Sequence, residues 1–228
     1  MNMKIKILSC RIFEPYLQKI LKEITLDYSY DIEYFEIDRH NYPKKFHQVL
    51  QTKIDEIVDA DMIMLLYGIC GNVTTALQAK HCKIAIPKVH DCATLLLGSK
   101  QRFLEVFEGR LSNPWSCAAH DMGADGGHIY FEGSTFQSLV EQYGEDNANY
   151  LMKLLDHGEK QKLYISLGLE EDQKRIASFE EDIEVVEGNY DYLKAILTLD
   201  FQDVLILEPN EILEPLYDQI EVMTRKKH

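Results

Sequence analysis

Four places in this chain put a cysteine or a histidine where an apolar, strand-like pattern ends. Cys10 closes Lys4–Ser9, and His40 stands in the polar turn Asp38-Arg39-His40-Asn41-Tyr42-Pro43. Cys70 lies in Tyr67-Gly68-Ile69-Cys70-Gly71-Asn72, and His90-Asp91-Cys92 follows Lys83–Pro87. Thiolates and imidazoles are the ligands that soft and borderline metals prefer. One such residue after each of four successive strands points to a shared thiolate site. Its ligands are Cys10, Cys70 and Cys92, with His90 or His40 as the fourth. That set suits Zn²⁺ in a Cys₃His sphere, or an iron–sulfur cluster on three cysteines with one position open. Two other readings use the same residues. One is a metal-free cysteine enzyme for a small anionic substrate, with Cys70 or Cys92 as nucleophile and His90 or His40 as base. The other is plain burial, since free cysteine packs as a small hydrophobe.

The turn around Cys70 could also hold a cofactor. Gly68 and Gly71 let a backbone approach a ligand closely, while Asn72 and Thr74 stand at the expected start of a helix, where an anion is favoured. It is neither a P-loop nor a dinucleotide fingerprint, because GKS/T and GxGxxG are both missing. Asp91 reads as an acid/base or as a helix cap, and His40 as a second catalytic candidate. Cys82 precedes a strand, which puts it on the opposite edge as a packing residue. Cys117, near His120 and His128, reads as a surface thiol that could add a ligand or a lid. His47, His81 and His157 read as surface helix residues.

The elements that must position these groups follow from periodicity. Lys4–Ser9 and Tyr30–Ile37 alternate apolar and polar, as half-buried strands do. Met62–Tyr67 is solidly apolar, as expected for a central parallel strand covered on both faces. Helical spacing marks residues 12–25, the Phe46–Ile57 stretch, Thr74–Lys80 and residues 93–108. Strand–helix alternation of this kind predicts an α/β fold, a Rossmann-like parallel sheet flanked by helices. Its strand-to-helix turns then share one edge, where ligands of such sheets bind. After the N-terminal half (1–109) comes a Gly- and Ser-rich excursion (110–133), read as a loop. A second βα half (134–228) opens on one long helix, residues 134–155. Strands are expected at 163–167, 183–186 and 204–207, and helices at 172–181, 190–199 and 210–224.

Composition narrows the function classes. The chain has 228 residues, 46% of them hydrophobic and 27% charged, the balance of a globular protein with a sizeable core. Residues 1–109 carry 14 basic and 14 acidic side chains, so the whole net charge of −14 falls on residues 110–228. An acidic chain lacks the positive footprint that phosphate backbones and anionic membranes require, so no nucleic acid or membrane partner is expected. Five cysteines, an odd number, argue against a disulfide framework. No apolar run has the ~20 residues of a membrane helix, and no signal peptide is visible, so a cytoplasmic location is expected.

The same motifs carry a family resemblance. Ser9-Cys10, His40-Asn41-Tyr42-Pro43, the Gly68–Asn72 turn, and Pro87-Lys88-Val89-His90-Asp91-Cys92 followed by Leu96-Leu97-Gly98-Ser99 resemble the domain of unknown function 1638 family. Over the first hundred residues the likeness is close. Beyond them it rests on Glu187-Gly188-Asn189-Tyr190 and Glu208-Pro209-Asn210. The resemblance implies an association with corrinoid-dependent methyl transfer and one-carbon metabolism. It thereby implies a small-molecule substrate or a corrinoid/methyltransferase protein as partner, with turnover of its own or as an accessory module. A homo-oligomer is compatible with either role.

Overall fold

The computed structural model describes residues 3–37, 42–68, 73–89, 91–107, 115–121, 140, 143–155, 162–180, 182–200 and 204–214. The first sheet is built from β1 (Lys4–Cys10), β2 (Ser29–Phe35), β3 (Met62–Leu66), β4 (Lys83–Pro87) and β8 (Val204–Leu207) in the order β2-β1-β3-β4-β8. The first four strands are parallel, and β8 pairs with β4 antiparallel. β3 is buried along its whole length, so its unbroken apolar run has a face to fill on each side of the sheet. Helices α1 (Glu14–Glu23) and α2 (Pro43–Glu56) each bury one apolar stripe, Tyr16, Leu17 and Ile20 in the first and Phe46, Leu50 and Ile54 in the second.

A second, three-stranded parallel sheet has the order β5-β6-β7: Trp115–Ser116, Leu163–Ser166 and Glu184–Glu187. The α/β reading with a mostly parallel sheet therefore holds, while β8 from the expected second half joins the first sheet and β5 from the expected excursion joins the second. Between and around these strands run α3 (Cys92–Leu97), α4 (Lys100–Phe107), α5 (Ala118–Asp121), α6 (Glu145–Leu155), α7 (Glu170–Ile176) and α8 (Asp191–Leu197). Among the described residues, no helix is long and apolar enough to cross a membrane.

Five local expectations are corrected. The helix expected at Thr74–Lys80 is absent: residues 73–76 form turns, and Ala76 has a left-handed φ of 66°. Its backbone groups are taken instead by the chain after β8, with Ala76 N–H donating to the Leu213 carbonyl at 2.8 Å, Leu213 N–H to Leu77 at 2.9 Å, and Asn210 N–H to Ala79 at 2.7 Å. Residues 93–108 are not one helix. Gly98 (φ 83°) ends α3, and Ser99 Oγ accepts the Arg102 N–H at 3.0 Å to start α4. Gly144 (φ 78°) likewise interrupts the helix expected over 134–155, of which α6 is the described part. Finally, the segment read as a loop contains β5 and α5. Residues 210–214 are not helical, and the rest of the expected terminal helix lies outside the described residues.

Candidate functional site

The strand order decides where a ligand could enter. From β1 the chain goes to β2 on one side, then crosses back to β3 on the other side of β1. Where successive connections diverge in this way, the strands' carboxyl ends leave a crevice, and ligands of open α/β sheets bind there. Cys10 is the last residue of β1 and so sits beside that crevice. The register pairs Cys10 with Phe35 and Ser9 with Leu66, which puts Cys10 level with the residue after β3, Tyr67, and next to Gly68. Tyr67, Phe46 and Phe35 form an aromatic wall on this edge, with successive ring centroids 5.7 Å apart.

Cys92 reaches the same edge from β4, the neighbour of β3 on its far side. It is the first residue of α3, capped by Asp91, whose Oδ1 accepts the Thr94 N–H at 3.2 Å and the Thr94 hydroxyl at 3.4 Å. Of the two roles read for Asp91, the cap is therefore present. Cys10 and Cys92 are 6% and 9% exposed, so both are buried and pack against the core beneath this edge. Thr74 is buried in the turn at 73–76, where its carbonyl accepts the Leu77 N–H. With no helix following it, the helix N-terminus expected to attract an anion at Gly68–Thr74 is missing, and with it the amides that lower a thiol's pKa at such a position. His40, Cys70, Gly71, Asn72 and His90 lie outside the described residues. Among those described, no three His, Cys, Asp or Glu side chains form a metal-sized cluster.

Arg11, next to Cys10, is engaged by Glu14 at 2.6 Å and Glu36 at 3.0 Å, so its guanidinium already has carboxylate partners. His47 is half-buried rather than a surface residue, and its Nδ1 lies 3.0 Å from the Val73 carbonyl, tying α2 to the turn after β3. Cys82 is buried at the opposite edge, and burial raises its thiol above the ordinary value, with Asp61 adding to the effect.

The second sheet offers its own carboxyl edge, and sequence reasoning misjudged it. Cys117 is not a surface thiol but wholly buried. Burial pushes it up to about 12, against the weaker pull of the Tyr16 phenol and of the Ala119 and His120 N–H groups. His120 Nδ1 accepts the Cys117 N–H at 3.2 Å, with Ser116 Oγ at 3.4 Å and Cys117 Sγ at 3.6 Å. An N–H can only donate, so Nδ1 carries no proton and the neutral ring holds its proton on Nε2. This is a thiol–imidazole pair in sequence, Cys-x-x-His, yet burial outweighs the groups that favour the thiolate, and sulfur keeps its proton. Close by, buried Asp172 accepts the Leu167 and Leu169 N–H groups, each at 2.9 Å, and the Tyr164 hydroxyl at 3.0 Å. Tyr16 carried no signal in the sequence because its partner Cys117 comes from a distant element, whereas the partners of Asp172 lie just before it, in β6 and the turn that follows.

The family described as "Protein of unknown function (DUF1638)" matches residues 34–197, well over half of the chain. The chain belongs to that family. The DUF1638 match takes in the second half as far as Leu197, more than the motifs alone suggested, and it begins after the strand that carries Cys10. No curated protein and no solved structure matches the chain.

Proposed function

We propose that this DUF1638 protein holds a metal ion or iron–sulfur cluster on Cys10, Cys70 and Cys92, with His90 as a further ligand. Its role would be in the cytoplasm, in corrinoid-linked one-carbon chemistry. The observation that carries the reading is the order β2-β1-β3-β4, which sets the carboxyl ends of four parallel strands side by side, with the crevice between β1 and β3. His40, Cys10, Cys70 and His90/Cys92 are the residues that close or follow these strands in sequence. Adjacent strands stand about 4.8 Å apart, so the ends of β1 and β4 are separated by only about 10 Å, with the end of β3 between them. Thiolates that close repel one another and lose solvation, and a cation relieves both penalties. The donor set fits the group: two nearly buried thiols, Cys10 at the end of β1 and Cys92 at the start of the helix after β4, are the soft donors that such a centre prefers.

Such a centre supplies Lewis-acid polarisation of a small substrate, or an open cluster position for one. The protein's own part is to fix the donors and keep water out. β1 fixes Cys10 through its ladder, the Asp91 cap fixes Cys92, and the Phe35–Phe46–Tyr67 wall lowers the local polarity. The metal-free thiol enzyme is the weaker reading, because the helix that would have activated Cys70 is replaced by turns.

Metal content and visible absorption of anaerobically purified protein test the proposal. Stoichiometric zinc or iron, lost in Cys10→Ser, Cys70→Ser and Cys92→Ser but kept in Cys82→Ser, is the expected result. A protein without metal, or one whose metal survives all three substitutions, would overturn it.

A further inference from the structure

Cys92 opens a helix of only six residues, and all six are buried. A short buried helix moves as one piece, so whatever holds its far end sets the position of Cys92. That far end is held by the second sheet. Asn189 N–H donates to the Leu96 carbonyl at 3.0 Å, taking one of the acceptors that the end of α3 leaves open. Gly188 approaches so closely that a Cβ there would lie 2.5 Å from the same Leu96 oxygen. A Cβ on Gly98, at the C-terminus of α3, would fall 1.7 Å from Asn189 Oδ1. Gly188-Asn189 and Leu96-Leu97-Gly98-Ser99 are thus two halves of one contact. Between Cys92 and Leu96 lies little more than one helical turn, about 6 Å of axis.

We infer that Gly188 and the Asn189 backbone are positioning residues for Cys92, setting from the second sheet how far α3 carries its thiol toward the crevice. This rests on the metal–thiolate reading for its purpose, though not for its geometry. Gly188→Ala must push the Leu96 carbonyl back by roughly 1 Å to reach ordinary van der Waals contact, and the helix hands that shift on to Cys92. Losing an outer partner of a metal ligand typically weakens metal binding about 10–100-fold. Asn189→Ala keeps the N–H and adds no atom facing Leu96, so it should leave Cys92 nearly in place.

The test uses the full chain and two readouts. In metal-free protein under native conditions, the alkylation rate of Cys92 is followed by peptide mass spectrometry in wild type, Gly188→Ala, Asn189→Ala and Ile20→Val, the last a core change in α1 away from α3. In parallel, zinc affinity is measured by competition with a chelator. Expected are a several-fold change in Cys92 alkylation and about a 10-fold or greater loss of zinc affinity in Gly188→Ala alone, with Cys10 alkylation unchanged. Overturning results are Cys92 alkylation in Gly188→Ala that equals wild type, or changes that follow thermal stability equally in Gly188→Ala and Ile20→Val. A wild type that binds no zinc while Gly188→Ala still alters Cys92 would defeat the metal reading and leave the positioning role standing. If Gly188→Ala fails to fold, Asn189→Pro, which removes the N–H that the Leu96 carbonyl accepts without adding a Cβ at position 188, takes its place, with the same outcomes deciding.

Discussion

Cys10 and Cys92, at the carboxyl edge of the first sheet, keep a sliver of exposure, whereas Cys117, at the carboxyl edge of the second, keeps none. All three follow parallel strands, so topology alone does not distinguish them. Their surroundings do. Cys117 is packed among Tyr16, Ser116 and His120, and desolvation holds its proton on to about 12. Cys10 and Cys92 stand on strands that flank β3, at the edge where the chain reverses direction through the sheet. The proposed binding role belongs to the thiols at strand ends where the strand order opens a crevice. Elsewhere such a thiol is part of the core.

The largest effect expected on the second edge comes from Asp172. It is fully buried and satisfies three donors, so Asp172→Ala should leave Leu167 N–H, Leu169 N–H and the Tyr164 hydroxyl without their acceptor. A loss of about 3–5 kcal/mol is expected by urea unfolding, and a loss under ~1 kcal/mol would show that the second edge is not the rigid one. Metal content per folded molecule should be unchanged.

Cys117 sharpens the contrast through pH. Its folded value is raised from 9.0 to about 12, so the unfolded chain releases this proton first as pH rises. The contribution is fully present below pH 9 and is lost between 9 and 12, at about 1.4 kcal/mol per pH unit. Cys117→Ala should therefore flatten the fall in stability from pH 9 to 10, below the range where Tyr28, Tyr34 and Tyr190, also raised to about 12 from 10.0, begin to contribute. Equal slopes in wild type and variant would mean that Cys117 is accessible after all.

A smaller effect is expected at the first edge, from the α3 cap. Asp91→Ala should cost about 1 kcal/mol and Asp91→Asn only a few tenths, since Asn still accepts the Thr94 N–H. If Asp91 instead carries a proton in catalysis, Asp91→Asn would abolish turnover while leaving stability alone.

Much of the first sheet was legible because its strands are local statements. Met62–Leu66 is apolar throughout, and Lys4–Cys10 alternates, so their types and common edge follow from the residues themselves. What could not be read was decided by distant partners. Thr74–Lys80 has helical spacing, yet its backbone pairs with residues 210–213, a contact that no local pattern encodes. The apolar stripe runs straight through Gly98, so the break between α3 and α4 was hidden until the left-handed φ and the approach of Asn189 appeared. Trp115–Ser116 is too short to alternate visibly, and with it went the burial of Cys117. In the site itself, the positions of Cys10 and Cys92 and the Asp91 cap were legible, while the strand order that makes Cys10 the crevice residue was not.

X-ray absorption at the metal edge of anaerobically prepared protein tests the central claim most directly, because it counts sulfur neighbours without requiring turnover. With zinc, three sulfur scatterers at about 2.3 Å are predicted, falling to two in Cys10→Ser and in Cys92→Ser and staying at three in Cys82→Ser and Cys117→Ala; with a cluster, bridging sulfides raise the count and the same two variants lose the iron. A first shell of oxygen and nitrogen alone, or a sulfur count that drops with Cys117 rather than with Cys10 and Cys92, would contradict it.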